Sequence, residues 1–164
     1  MEKYYNYPKV ENVNINDGFW TPYMKNVREI MLPYCFDKFE ETGLFKNFTN
    51  VALKNNEKHI YGISFSDGLI LETITGASTF LNISYDTEMD RRLDAYIDLI
   101  ISAQQEDGYL TTFVCLECPE RKWGEGEGGD IVRQHDLYNQ GALVEAAIAH
   151  YRATKKNKAA QGCS

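Results

Sequence analysis

DIVRQHDLYNQGALVEAAIAHYRAT, residues 130–154, repeats apolar or small residues at Leu137, Gly141, Val144, Ile148 and Tyr151. Steps of three and four place these on one face of an α-helix. A second line, Ala142, Ala146, Ala149 and Ala153, carries little bulk. Such a line lets another helix approach closely. His135 and Asp136 stand at the entrance, where a polar side chain can be held against unpaired backbone N–H groups.

The same periodicity recurs towards the N-terminus. A helix is predicted to start at Thr21-Pro22, with Thr21 as cap and Pro22 at the first helical position, where its missing N–H costs nothing. Met24, Val27, Met31 and Tyr34 form its apolar stripe, Pro33 should kink it, and Gly43 should end it. A second helix is predicted from Ser66-Asp67, burying Leu69, Ile70, Ile74, Ala77 and Leu81, with Gly76 marking a close helix contact. Its β-branched content leaves a buried strand as the competing assignment. A third begins at Asp86 or Thr87, where Thr87-x-x-Asp90 resembles a capping box. It buries Met89, Leu93, Tyr96, Ile100 and Ala103 and is closed by Asp107-Gly108.

The connections read differently. Val10 to Ile15 and Tyr109 to Phe113 are expected to be extended. Residues 44–64 look irregular, with room for a short helix; residues 119–130 form a flexible loop, and the charged run Lys155 to Lys158 is solvated. No β-α-β alternation occurs. The sum is an all-α pattern of helical hairpins with about four main helices over residues 21–164, after an N-terminal arm at 1–20.

Composition narrows the function. A net charge of -7 argues against nucleic acid or an anionic membrane as partner, because both require a basic face. No apolar run is long enough to span a membrane, and the start MEKYYNYPKV lacks the apolar centre of a secretion signal. A cytoplasmic location is therefore expected. Eleven tyrosines suit sugar-stacking surfaces, although packing is their commoner use.

The four cysteines are Cys35, Cys115, Cys118 and Cys163. Cys115 and Cys118 have C-x-x-C spacing, but a closed zinc site needs four ligands and no second close pair exists. No metal is expected in this chain, and reduced thiols are the default. Gly124, Gly126 and Gly129 match G-x-G-x-x-G outside any β-α-β unit, beside Glu125 and Glu127, which would repel a phosphate. His59 lies in a charged run and reads as a surface residue. Glycoside hydrolysis needs two carboxyls about 5–10 Å apart. Glu72 and Glu145 lie on helices that could face a common centre, but 24 acidic residues make some such pair inevitable.

Four blocks carry a family resemblance. Asp17-Gly18-Phe19-Trp20 with Leu32-Pro33-Tyr34 comes first, then Phe65-Ser66-Asp67 followed by Leu71-Glu72. Ala103-Gln104-Gln105-Glu106-Asp107-Gly108-Tyr109-Leu110 is next, and His135-Asp136 leading through Glu145-Ala146 to His150-Tyr151 and Ala153-Thr154 is last. Together, and in this order, they resemble glycoside hydrolase family 127, which includes β-L-arabinofuranosidases. The resemblance implies the N-terminal portion of an (α/α)6 toroid, truncated and inactive on its own, with a carbohydrate substrate in the full-length form. Exposed apolar helix faces would then invite self-association.

Members of that family are retaining hydrolases with a cysteine nucleophile held in a zinc site of glutamate and cysteines, and a glutamate as acid/base. Zinc is thus implied for full-length relatives. None of the four cysteines here sits in a matching motif, so no catalytic residue is carried over. His135 is carried over as a sugar contact, with Asp67 and Asn47 as further substrate-binding candidates; Asp67 could equally cap a helix. A second family histidine, seven residues after the first, is Ala142 here, preceded by Asn139-Gln140. Two other classes fit the same pattern: an autonomous helical carbohydrate- or protein-binding module, and a fragment of another (α/α)6 enzyme such as an epimerase or unsaturated uronyl hydrolase.

Overall fold

In the computed structural model, residues 8–9, 12–55 and 59–156 are described. The arm's first seven residues, Val10 and Cys163 lie outside them. The described part is helical throughout: α1 (Trp20–Asn26), a π-turn (Val27–Met31), α2 (Leu32–Glu41), α3 (Leu44–Ala52), α4 (Ser66–Ile83), α5 (Thr87–Ala103), α6 (Thr112–Glu117), a 3₁₀ segment (Pro119–Gly124) and α7 (Asp136–Thr154). No strand occurs among the described residues. Of the piece Val10 to Ile15 expected to be extended, residues 13–15 are irregular, and α6 starts within the predicted extended piece at Tyr109 to Phe113.

The first helix begins at Trp20, two residues before the predicted Pro22, with Asp17 rather than Thr21 holding its entrance. The Asp17 carboxylate accepts from the Phe19 and Trp20 amides, while Thr21 Oγ1 donates back to the Ile15 carbonyl at 3.1 Å. Pro33 has its effect upstream of itself. Its ring cannot share space with the carbonyl four residues before, and the turn containing that residue, Glu29, widens into the π form. Inserting a residue rotates everything that follows. Met31 and Tyr34 therefore turn outward, and Leu32, Phe36 and Phe39 take the buried side in place of the predicted stripe.

Gly43 separates α2 from α3 in a left-handed conformation (φ 82°), and a Cβ there would lie 2.6 Å from the Tyr61 ring. The short helix for which residues 44–64 left room is α3, residues 44–52. Leu44, Phe45, Phe48 and Val51 repeat at helical spacing and are buried. The low-propensity asparagines beside them are tolerated because Asn47 is bonded internally. Asn47 Nδ2 donates to the Tyr61 carbonyl (2.9 Å), and its Oδ1 accepts from the Tyr61 amide (3.0 Å).

Helices α4 and α7 make the most extensive helix pair. The contact is close at Gly68, where a Cβ would meet the Tyr138 ring at 3.1 Å and Asn139 Oδ1 at 3.4 Å. Gly76, predicted to mark the close approach, has nothing nearer than Leu32 at 3.9 Å. Leu69 is exposed, and Leu71 is buried in its place. On α7 the alanine line faces the partner helix, as its lack of bulk suggests. Leu137, Val144, Ile148 and Tyr151 point outward, whereas Ala142, Leu143, Ala146 and Ala147 pack on α4. Leu71 and Ile74 meet Ile97 and Ile100 of α5 and Leu143 of α7 in the shared core. Full burial of each such side chain contributes about 1.5–3 kcal/mol.

Helix α5 is capped by Asp86, whose carboxylate accepts from the Glu88 and Met89 amides at 3.0 Å each. Asp90 does not complete a capping box, because its carboxylate is buried and bonded to Tyr85 and Lys156. The helix ends at Ala103, ahead of Gly108, which instead serves a separate tight turn with φ 84°. The glycine-rich loop is tightly folded rather than loose. A Cβ on Gly129 would fall 1.9 Å from the Glu125 carbonyl oxygen, and one on Gly126 would fall 2.6 Å from that of Glu120.

Candidate functional site

The ends of α4 and α7 that meet at Gly68 carry the candidate site. The chain enters α4 through Tyr61 to Phe65. Asn47 clamps this entry at Tyr61, and Ser66 Oγ accepts from the Ile63 amide at 2.9 Å. Asp67 is fully buried in the first turn. Its two oxygens accept from the Thr112 amide (2.6 Å) and the Thr112 hydroxyl (2.7 Å), fastening α6 to α4. Burial disfavours the charged form more than these bonds favour it, and the carboxyl is pushed up to about 6.

His135 stands immediately before α7 with left-handed backbone (φ 60°, ψ 25°), a conformation sparsely used by residues other than glycine. Its side chain makes no capping bond. The preceding turn is held instead by Asp130, which accepts from the Val132 and Arg133 amides, both at 3.0 Å. Asp136, also without a capping role, is buried and accepts from the Tyr109 hydroxyl (2.7 Å) and Gln134 Nε2 (3.1 Å). Gln134 Nε2 reaches the Arg121 carbonyl as well (2.8 Å), so the entrance of α7 is anchored to two loops.

With its backbone fixed in this way, the His135 ring projects into solvent beside Phe65 (centroids 5.2 Å apart) and Tyr138 (6.0 Å). The Tyr138 hydroxyl donates to Glu72, whose carboxylate in turn pushes the phenol's pKa up. Two exposed aromatic faces, an imidazole and a carboxylate thus share one open surface. Of the residues singled out in the sequence, His135 lies on it. Asp67 is not on it but buried in the first turn of α4, bonded to Thr112. Asn47 is buried in α3 and bonded to Tyr61 of the α4 entry loop.

Phe65, Glu72 and Tyr138 complete the patch. Phe65 and Glu72 stood in the sequence as members of one family block, with Glu72 also paired with Glu145 as a possible facing carboxyl, and Tyr138 only as a residue of the α7 motif. The charged run after α7 is not simply solvated, as expected, because Lys156 binds Asp90 and Asp94 (2.7 Å each) beside a fully buried His150.

The described cysteines do not make a metal centre. Cys35, Cys115 and Cys118 are free. Burial pushes the Cys115 thiol up to about 11 and raises that of Cys118, so both are protonated near neutrality rather than poised as thiolates. No group of three or more metal-ligating side chains among the described residues includes a cysteine.

Comparison with known proteins gives one consistent result. The family model for "Beta-L-arabinofuranosidase, GH127 catalytic domain" matches residues 12–161. The non-reducing end β-L-arabinofuranosidase of Bifidobacterium longum subsp. longum is 26% identical over 167 residues, covering 90% of this chain and 25% of that protein. A solved GH127 β-arabinofuranosidase superposes with a TM-score of 0.83 at 31% identity, covering 93% of this chain and 25% of that one. The GH127 β-L-arabinofuranosidase Ara127N from Geobacillus stearothermophilus T6 gives 0.83 at 30%, covering 92% and 24%. The chain spans about a quarter of the length of these relatives.

Proposed function

Because the chain belongs to the glycoside hydrolase family 127 catalytic-domain family, we propose that its exposed patch at the entrances of α4 and α7 is part of a sugar pocket for a terminal β-L-arabinofuranoside. The observation that carries this reading is the placement of His135. Its backbone is locked in a left-handed conformation by a buried network, yet its ring is exposed between Phe65 and Tyr138.

Each group has a task. The aromatic faces of Phe65 and Tyr138 cover the C–H edges of a sugar ring. The imidazole donates to or accepts from a ring hydroxyl, and Glu72, already holding the Tyr138 phenol, accepts from a neighbouring one. Asp67 and Asn47 act at one remove, by fixing the α4 entrance that carries Phe65.

Glycosidic cleavage itself needs a nucleophile and an acid/base group at the scissile bond. Burial keeps the Cys115 and Cys118 thiols neutral, and Glu72 is engaged with Tyr138. The 164-residue chain alone is thus proposed to bind sugar without cleaving it. The zinc that the resemblance implies for full-length relatives is given no part in sugar binding by this patch.

Saturation-transfer NMR of the chain with L-arabinose tests this. Transfer to the sugar is expected for the wild type and is lost in His135→Ala, with no release of aglycone from an aryl β-L-arabinofuranoside. Equal transfer in both proteins would remove His135 from the pocket. Turnover abolished by His135→Ala would show that these residues are already a catalytic unit.

A further inference from the structure

Away from the sugar-facing patch, the last turns of α7 meet the first turns of α5. Asp90 and Asp94 lie one turn apart on α5, and both face His150. The His150 side chain has no exposure, and neither of its ring nitrogens has a hydrogen-bond partner. Leaving such a group dry and unpaired is costly. Its Nε2 is aimed at Asp90 Oδ1 and Asp94 Oδ1, 3.6 Å from each. Asp90 Oδ1 is likewise buried and without a hydrogen bond.

We propose that Asp90, Asp94 and His150 bind one divalent cation of the zinc class. The spacing fits an ion better than it fits hydrogen bonds. At 3.6 Å the nitrogen–oxygen contacts are too long for the latter. Two ligands each about 2.1 Å from a tetrahedral zinc are about 3.4 Å apart. The three donor atoms already lie within 4.8 Å of one another, so a small inward movement closes the set. One imidazole nitrogen with two carboxylate oxygens suits zinc or a neighbouring transition ion. Calcium and magnesium prefer all-oxygen shells.

The site already attracts a cation. Lys156 Nζ lies 2.7 Å from Oδ2 of both aspartates, which leaves the Oδ1 atoms turned towards His150. Lys156 is partly exposed at the end of α7, free to withdraw when a stronger cation arrives. The bound ion pins the end of α7 to the start of α5. It shares no residue with the patch around His135 and uses no cysteine.

Cobalt chloride titrated into the 164-residue chain, followed by visible absorption, tests this, with zinc chloride as the competing ion. A ligand-field spectrum without a thiolate charge-transfer band is expected. It should persist when Cys115 and Cys118 are changed to serine and disappear in His150→Gln. If His150→Gln fails to fold by circular dichroism, Asp94→Asn, at the less buried carboxylate, serves as the loss variant. Lys156→Met removes the competing ammonium and should tighten zinc binding roughly tenfold. Two results overturn the proposal: no metal-dependent spectrum in either the wild type or folded Lys156→Met, or a spectrum that survives His150→Gln and vanishes with the cysteines.

Discussion

Replacing Asp67 with asparagine should lower the chain's stability in acid relative to the wild type, and the size follows from burial. The carboxyl is fully buried and its pKa is raised from 3.8 to about 6 by desolvation, against the opposing effect of its two bonds from Thr112. A raised carboxyl pKa means that the folded state holds its proton more tightly than the unfolded chain. Between these two values the folded state therefore binds more protons, and acidification through that window favours folding. From pH 7 to pH 4 the linkage amounts to about 2 kcal/mol at 1.36 kcal/mol per unit. Asparagine has the same shape and no titration. Its Oδ1 can accept from the Thr112 amide while its Nδ2 donates to the Thr112 hydroxyl, so the tie between α4 and α6 survives. Urea unfolding of both proteins at pH 7 and pH 4 measures the difference directly. Relative to the wild type, Asp67→Asn should lose about 2 kcal/mol on going from pH 7 to pH 4. Parallel pH profiles for the two proteins would refute the reasoning, because they would mean that Asp67 is solvated or already protonated at pH 7.

Two further outcomes follow from the same structure. Gly141 lies inside α7, and a Cβ added there would have no neighbour within 4 Å, so Gly141→Ala should add up to about 1 kcal/mol in urea unfolding, whereas Gly129→Ala, whose Cβ would overlap the Glu125 carbonyl, should lose more than that. The outward stripe of Leu137, Val144, Ile148 and Tyr151 should drive self-association that Ile148→Lys reduces; sedimentation showing a strict monomer at high concentration would count against it.

The helices were legible where local chemistry and tertiary need agree. The Asp86 cap, the run from Leu93 to Ala103 and the Gly43 break follow from propensity and capping alone. The position of α3 was not legible beyond room for a short helix, because Asn47 and Asn50 are poor helix formers in isolation. Asn47 is tolerated through a clamp on Tyr61, fourteen residues later in the chain. The stripe in α1 and α2 was misplaced because a π-turn shifts the period by one residue, and a fixed 3.6-residue spacing carries no sign of that. The candidate site divides in the same way. His135 stands out as a histidine at a helix entrance. Phe65 and Glu72 join it only through the packing of α4 on α7, and the group of Asp90, Asp94, His150 and Lys156 only through the packing of α7 on α5.

The sidedness of α7 shows what periodicity can and cannot decide. Both of its faces are apolar, one bulky and one built of alanine, so a helical period accounts for either. The choice is made by volume on the partner helix. α4 presents Ile70, Leu71 and Ile74, and at Gly68 its backbone comes so close that even a methyl group would crowd the Tyr138 ring. Leu137 or Val144 turned into that contact would overfill it. Alanines let the axes close, and Leu143 alone supplies bulk where α5 leaves room. The bulky stripe is consequently the face left over. The same rotation that turns it outward places His150 against Asp90 and Asp94 at one end of α7, and Tyr138 against Glu72 at the other. Both the sugar-facing patch and the cation site are thus set by the fit of small residues along one helix pair.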